Sequence, residues 1–535
     1  MLITTTLALF LGFWSLLFLV DYYCRLYKLQ SYVEFSKRTG FVVSLFQLKL
    51  CTVRVDSFLG ESTVFRRPTI RHFLDLWFFV GVGAAILSSG FMLLFLSDSL
   101  LSQLWSLATT SSKMGQENSQ AATDVVMSAA VSGDGAGQRS PLSSSMVPII
   151  PGINVPWTQL PLLFMVLMIA GLFHELGHAL AAINENVNIN GFGVFVVAVY
   201  PGAFTELENM ALEEVSSFRK LKIFCAGVWH NLFLALLALI SMQLIPAVSS
   251  LCYLVNKGVM VTDVQPESGL SSDGGLAVGN IVYAINNCKV YNEESWLRCL
   301  VNTGRVSYGY CLPKSVVVRG QAGRHSAVLS SLSSSSEIQC CESNTSRTHL
   351  CFFYRYYSES AKHVAVEYTC LSASYVTGRY ICSHTHNCNS KTVCVHPALF
   401  NDTRLIRFYV ANASTPVLFV GSVKMVAVHV TISNYVPKNT IAPVHLPAYF
   451  ELLFRYVFTL SFAFAMLNAI PCYSLDGQFI ARVLVDAVFG ETTSSSYFGQ
   501  WRSFVYKFVM FYGSFLLVSA LVLSFVCYAF SLLYL

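Results

Sequence analysis

The chain has 535 residues, 54% of them hydrophobic and only 12% charged, with a formal net charge of +5. Mean hydropathy is positive, which excludes an ordinary soluble enzyme and leaves a polytopic α-helical membrane protein. The charge balance gives no ground for a nucleic-acid partner. Arg25, Lys28, Lys37, Arg38, Lys49, Arg54, Arg66, Arg67 and Arg71 lie between the first two apolar stretches, where the positive-inside rule makes them cytosolic loop charges beside the lipid bilayer.

Apolar stretches long enough for a bilayer of about 30 Å occur near residues 2–20, 76–96, 159–183, 221–246, 447–470 and 508–535, so about six spans are expected. The first is read as an anchor, because Tyr22 and Tyr23 stand where a signal peptide carries a small-residue cleavage site. Residues 1–97 thus hold two spans and a basic loop. Residues 98–158, rich in Ser, Ala, Gly and Gln, lack the large apolar residues of a folded region and are expected to be a disordered linker.

The membrane core at 159–247 carries Phe173-His174-Glu175-Leu176-Gly177-His178 in its first span. At about 100° per residue, His174 and His178 project from one helix face and two imidazoles can share a metal ion, with Glu175 on the rim as a proton acceptor for water. Burying these groups in a spanning helix costs several kcal/mol unless they are paired or metal-bound, which points to function. Polar residues facing a water-filled bundle interior are the plainer alternative. After that span, the Val- and Phe-dense segment INGFGVFVVAVYPGAF at 189–204, broken by Gly191, Gly193, Pro201 and Gly202, suits strands or a re-entrant loop.

Residues 248–446 form a long, strand-rich insertion with a Ser-rich excursion at 330–336. It contains Cys252, Cys288, Cys299, Cys311, Cys340, Cys341, Cys351, Cys370, Cys382, Cys388 and Cys394, and sequons at Asn344, Asn401 and Asn412. Clustered cysteines beside sequons predict an oxidised, glycosylated, lumenal domain, with at least one thiol left over from an odd count. From Gly258, GVMVTDVQPESGLSSDGGLAVGNIVYAINN looks like the first half of a PDZ domain, with Asn280 where an Asp is usual and no recognisable carboxylate-binding loop. A plain β-rich domain that only gates access fits equally well.

The C-terminal membrane core at 447–535 contains Asn468-Ala-Ile-Pro471-Cys472-Tyr-Ser-Leu475-Asp476-Gly477. Pro and Gly break the helix there as a carboxylate arrives in apolar surroundings, making Asp476 the candidate third ligand that zinc requires beside two histidines. Taken alone, Leu-Asp-Gly is commonly just a turn whose Gly adopts positive φ.

These motifs, with FCAGVWHN at 224–231 and the Cys-rich insertion in matching order, resemble over nearly the whole chain the site-2 proteases, in particular the eukaryotic membrane-bound ones. The resemblance implies one Zn2+ per chain held by His174, His178 and Asp476, with Glu175 catalytic. It implies cleavage, inside the membrane, of single-span transcription-factor precursors of the sterol-regulatory and unfolded-protein-response type, after a lumenal site-1 protease cuts first, in the Golgi or endoplasmic reticulum. It also marks Gly227 and Asn231 as a G-x-x-x-N pair, with Asn468 opening the second signature. Asn231 and Asn468 are candidates for binding substrate backbone or an oxyanion, or else for packing and capping hydrogen bonds. His230 reads as a packing residue. The rivals are a membrane HExxH protease that trims prenylated proteins with a Glu ligand, and a transporter passing protons through the buried His and Glu.

Overall fold

The computed structural model describes residues 2–52, 67–114, 155–198, 200–270, 275–319, 340–341, 348–358, 363–384, 387–399, 402–439, 441–490 and 496–533. Six described helices are long and apolar enough to cross a membrane: Ala8–Leu26, Pro68–Trp105, Trp157–Asn184, Ser217–Ser249, Leu446–Ala469 and Gly499–Val526. This is a polytopic membrane protein. The second of these belongs to a helix that continues to Met114, so residues 98–114 are helical where the composition suggested linker. Ser and Thr there join an apolar run instead of ending it. Residues 115–154, the Ser-rich excursion at 330–336 and the sequons at Asn344 and Asn401 lie outside the described residues.

The chain divides into two compact units, Met1–Met242 with Leu452–Leu535, and Gln243–Glu451. In the first, small residues let helices pack closely. Ala179, Ala181 and Ala182 of the HExxH helix meet Phe78, Ile223 and Ala226, while Ala465, Ala469 and Ile470 pack with Ala85, Cys225, Val228 and Leu516. A four-stranded antiparallel sheet lies in the same unit: β1 (Phe41–Ser44), β2 (Gln47–Thr52), β3 (Ile189–Val197) and β4 (Tyr200–Leu207), paired in that order. The Val- and Phe-dense segment is therefore a hairpin, as its β-branched content suggests. The basic loop supplies the other two strands, with Leu50 opposite Val194. Lys49 ion-pairs with Glu206 and sits 4.1 Å over the Phe204 ring.

Charge fixes the helix ends. Glu185, 5% exposed, follows the HExxH helix and takes Arg219 and Lys222 (2.9 Å), while Lys222 also reaches Asp75 at 3.0 Å. Arg219 additionally donates to the Glu185 carbonyl, answering one of the carbonyls a helix C-terminus leaves unpaired. Replacing Glu185 with Ala leaves the half-buried Lys222 with one of its two carboxylate partners, so the variant is expected to lose about 1–3 kcal/mol of stability. Thermal unfolding in detergent measures this, and an unchanged melting temperature would contradict it.

The second unit contains two sheets. One has the order β8-β7-β6-β5-β9, with β5 spanning Tyr253–Val264, β6 Ile281–Ile285, β7 Thr403–Val410, β8 Val417–Ser422 and β9 Val430–Pro437. Trp296, Cys299 and Leu300 of the helix Glu293–Arg305 fill its core with Phe408 and Val426. The turn before β6 places Gly279 at φ 91°, and Asn280 accepts the Ala277 N–H at 2.9 Å. The other sheet has five strands, each carrying one cysteine: Cys311, Cys351, Cys370, Cys382 and Cys394. Disulfides join Cys288–Cys299, Cys311–Cys388, Cys340–Cys351, Cys341–Cys370 and Cys382–Cys394, leaving Cys252 unpaired.

Candidate active site

The HExxH helix, Leu160–Asn184, buries one face and lays the other along β4. Its periodicity does what the spacing predicts: His174 and His178 are both buried, with their Nε2 atoms 3.2 Å apart. Asp476 lies 302 and 298 residues away in sequence. Its Oδ2 is 2.8 Å from His174 Nε2 and 3.1 Å from His178 Nε2.

Asp476 gets there because the helix Leu446–Ala469 stops and the chain turns back at once into the helix Gly477–Phe489. Ser474 takes φ 70° in that turn. Gly477 is required for proximity, since a Cβ there would lie 2.0 Å from the Ile470 carbonyl oxygen. It is not among the glycines with positive φ, so Leu-Asp-Gly is not the simple left-handed turn that the tripeptide alone suggests. Asp476 heads the second helix without capping it, since its side chain makes no bond to the helix amides.

The donor set suits zinc. Four ligands at about 2.0–2.1 Å in a tetrahedron stand about 3.3 Å apart, and the three nitrogen and oxygen atoms here are separated by 2.8, 3.1 and 3.2 Å. Two further features fit. A Cβ at Gly227 would stand 2.4 Å from His178 Nε2 and 2.6 Å from His174 Nε2, so only Gly lets the helix Ser217–Ser249 approach the ligands. His178 Nδ1 lies 2.8 Å from the Ile223 carbonyl. That bond puts the proton on Nδ1 and leaves the Nε2 lone pair for a metal.

Glu175 sits one residue along, on the wall of a cavity of about 570 Å3 that is also lined by His178, Asp476, Phe204, Thr205 and Phe479. It is set beside the three converging donor groups without joining them, which is the position a proton carrier needs. Thr205 Oγ1 donates to the Glu175 carbonyl at 3.0 Å, tying β4 to the helix at this point. β4 ends the sheet, so one edge has no strand partner among the described residues. Lys220 and Arg482, which the sequence analysis did not single out, stand on the cavity wall. Nothing in their local sequence marks them, because the elements that bring them there are far apart in the chain.

The two Asn candidates fare differently. Asn231 is fully buried, and its amide meets His174 Nδ1 at 3.2 Å. It does not line the cavity where a substrate would lie. Asn468 is half-buried in the last turn of its helix, and among the described residues no hydrogen bond joins it to His174, His178 or Asp476. His230 packs among Trp77, Phe78 and Phe173 and bonds the Ala226 carbonyl at 2.9 Å. Of the sequons, Asn412 is exposed in a turn at φ 64°.

Residues 162–512 match peptidase family M50. A membrane-bound transcription factor site-2 protease homolog of Arabidopsis thaliana is 24% identical over 382 residues, covering 63% of this chain and 72% of the relative. The match takes in the HExxH helix, the β3–β4 hairpin, the inserted unit and the turn at Asp476. With two-thirds of its length inside the family, the chain belongs to peptidase family M50 and is an intramembrane metalloprotease.

Proposed function

We propose that this protease cleaves single-span, membrane-anchored transcription-factor precursors within the bilayer, using one zinc ion held by His174, His178 and Asp476, with Glu175 as the acid-base group. The observation that carries this reading is the convergence of the three donor atoms beside Glu175, with Glu175, His178 and Asp476 on the wall of one cavity. The name of the Arabidopsis relative supports the substrate class.

When bound, zinc at this site polarises a carbonyl and acidifies water. The protein's own groups do the rest. Glu175 takes the proton of the attacking water and returns it to the departing amine nitrogen, so the peptide bond breaks with no net proton change at the site. A substrate helix hides its peptide bonds and must unwind first. The free edge of β4, with Phe204 and Thr205 beside Glu175, offers an extended segment a strand to pair with and holds its carbonyl toward the ligands.

Five disulfides and the exposed sequon Asn412 support a lumenal position for residues 248–446. The site-2 name of the Arabidopsis relative is in keeping with an order in which a lumenal site-1 protease cuts first, in the Golgi or endoplasmic reticulum. The test is hydrolysis of a single-span precursor, trimmed on its lumenal side, in liposomes carrying the purified chain. A zinc chelator should stop cleavage and stoichiometric zinc restore it. Cleavage undiminished after the metal is stripped would overturn the reading, and movement of protons without hydrolysis would favour the transporter.

A further inference from the structure

The sequence pairs Gly227 with Asn231 at a spacing of four, and the helix Ser217–Ser249 turns that spacing into one face against the ligands. Gly227 supplies the room. One turn later, Asn231 reaches the opposite side of the His174 ring, and its position there poses a problem of hydrogen-bond supply. Its amide nitrogen, which can only donate, faces His174 Nδ1 at 3.2 Å, while its Oδ1 is buried without a partner among the described residues.

A buried amide oxygen left unpaired costs roughly 1–3 kcal/mol, and both difficulties have one remedy. With His174 Nε2 turned to the metal, its Nδ1 must carry the ring proton and needs an acceptor. Rotating the Asn231 amide by half a turn brings Oδ1 to that proton. The orphaned oxygen is then paired with that N–H, and the amide N–H2 takes the oxygen's former place. His178 already has the equivalent arrangement, with the Ile223 carbonyl as its acceptor.

We propose that Asn231 is a positioning residue: its side-chain oxygen accepts Nδ1–H of His174, fixing the ring's tautomer and angle so that Nε2 is presented to the metal. The proposal rests on the zinc reading above. It gives the G-x-x-x-N spacing a single physical purpose, clearance at one ligand pair and orientation one turn on. It also removes Asn231 from contact with substrate.

The test uses the full-length chain in detergent and measures zinc affinity by chelator competition, beside the visible spectrum of the cobalt-substituted protein. Asn231→Leu keeps similar volume but has no acceptor, and Asn231→Ala removes the acceptor without adding an apolar branch beside the ligands. Both should weaken zinc binding about 10–100-fold, the usual cost of losing a partner behind a ligating His, and shift the cobalt bands. Asn231→Asp keeps an acceptor and should restore wild-type affinity and spectrum. Wild-type affinity in Asn231→Ala, or an Asn231→Asp as weak as Asn231→Ala, would overturn the role given to Asn231 and leave the zinc reading standing. A wild-type chain that binds no stoichiometric zinc would overturn both.

Discussion

Glu175→Gln should hold zinc as wild type does and yet cleave its substrate about 100- to 10,000-fold more slowly, the range set by general acid–base catalysis. The reasoning is geometric. Glu175 shares the cavity wall with His178 and Asp476 but is not one of the three groups whose donor atoms converge. Gln matches Glu in size and keeps a side-chain carbonyl, so the wall keeps its shape, but it cannot accept and return a proton. Thr205 bonds the backbone carbonyl of residue 175, so the link between β4 and the helix also survives the change. Zinc content and single-turnover cleavage, measured on the same preparation, separate the two roles. If Glu175→Gln loses its metal, Glu175 is a ligand. If it cleaves near the wild-type rate, proton transfer runs through another group.

Most of this centre was legible in the sequence because its strongest signals are local. HExxH encodes its geometry in a spacing of four, and a helix converts that spacing into a shared face whatever surrounds it. The helix break before Asp476 is similarly local, since Pro471 and Gly477 announce it. What the sequence could not express is why Gly477 is glycine. The reason is the Ile470 carbonyl, seven residues back, which the turn brings to within 2.0 Å of where a Cβ would stand. Gly227 is a similar case: the atoms it clears belong to a helix about 50 residues earlier. The spacing of Asn231 from Gly227 does not distinguish a group facing substrate from one facing the back of the His174 ring, where the structure places its amide.

The fold shows the same division. The 189–204 segment declares itself as strand through its Val and Phe content, and the disulfide-rich insertion through its cysteines. The basic loop misled because its charges are the louder signal. Lys49 belongs to a strand, yet it reads as loop until its partners Glu206 and the Phe204 ring are placed beside it. In the inserted unit, β6 completes its pairing with β7, whose residues come only after the Cys-rich stretch. A reading that proceeds along the chain meets the first strands of that sheet long before the ones that finish it.

Asp476→Ala should lose zinc while the protein stays folded, and its neighbour Gly477→Ala should do the opposite in order of cause. Removing the Asp476 carboxylate takes away one of three protein ligands. The affinity loss is expected to exceed about 100-fold, the upper end of what losing a partner behind a ligand costs. The fold has little reason to follow. Asp476 makes no capping bond to the helix it heads, and its side-chain hydrogen-bond partners among the described residues are the His174 and His178 imidazoles. At Gly477 the added methyl meets backbone: the Ile470 oxygen at 2.0 Å, the Ile470 carbonyl carbon at 2.4 Å and the Pro471 nitrogen at 2.9 Å. None of these can move without shifting the turn, so Gly477→Ala should lower the melting temperature first and lose zinc as a consequence. Measuring zinc content and thermal unfolding of both variants in detergent distinguishes the cases. Asp476→Ala that keeps its zinc would place the third ligand elsewhere, and Gly477→Ala with wild-type stability would mean the turn at Asp476 has room that this packing denies it.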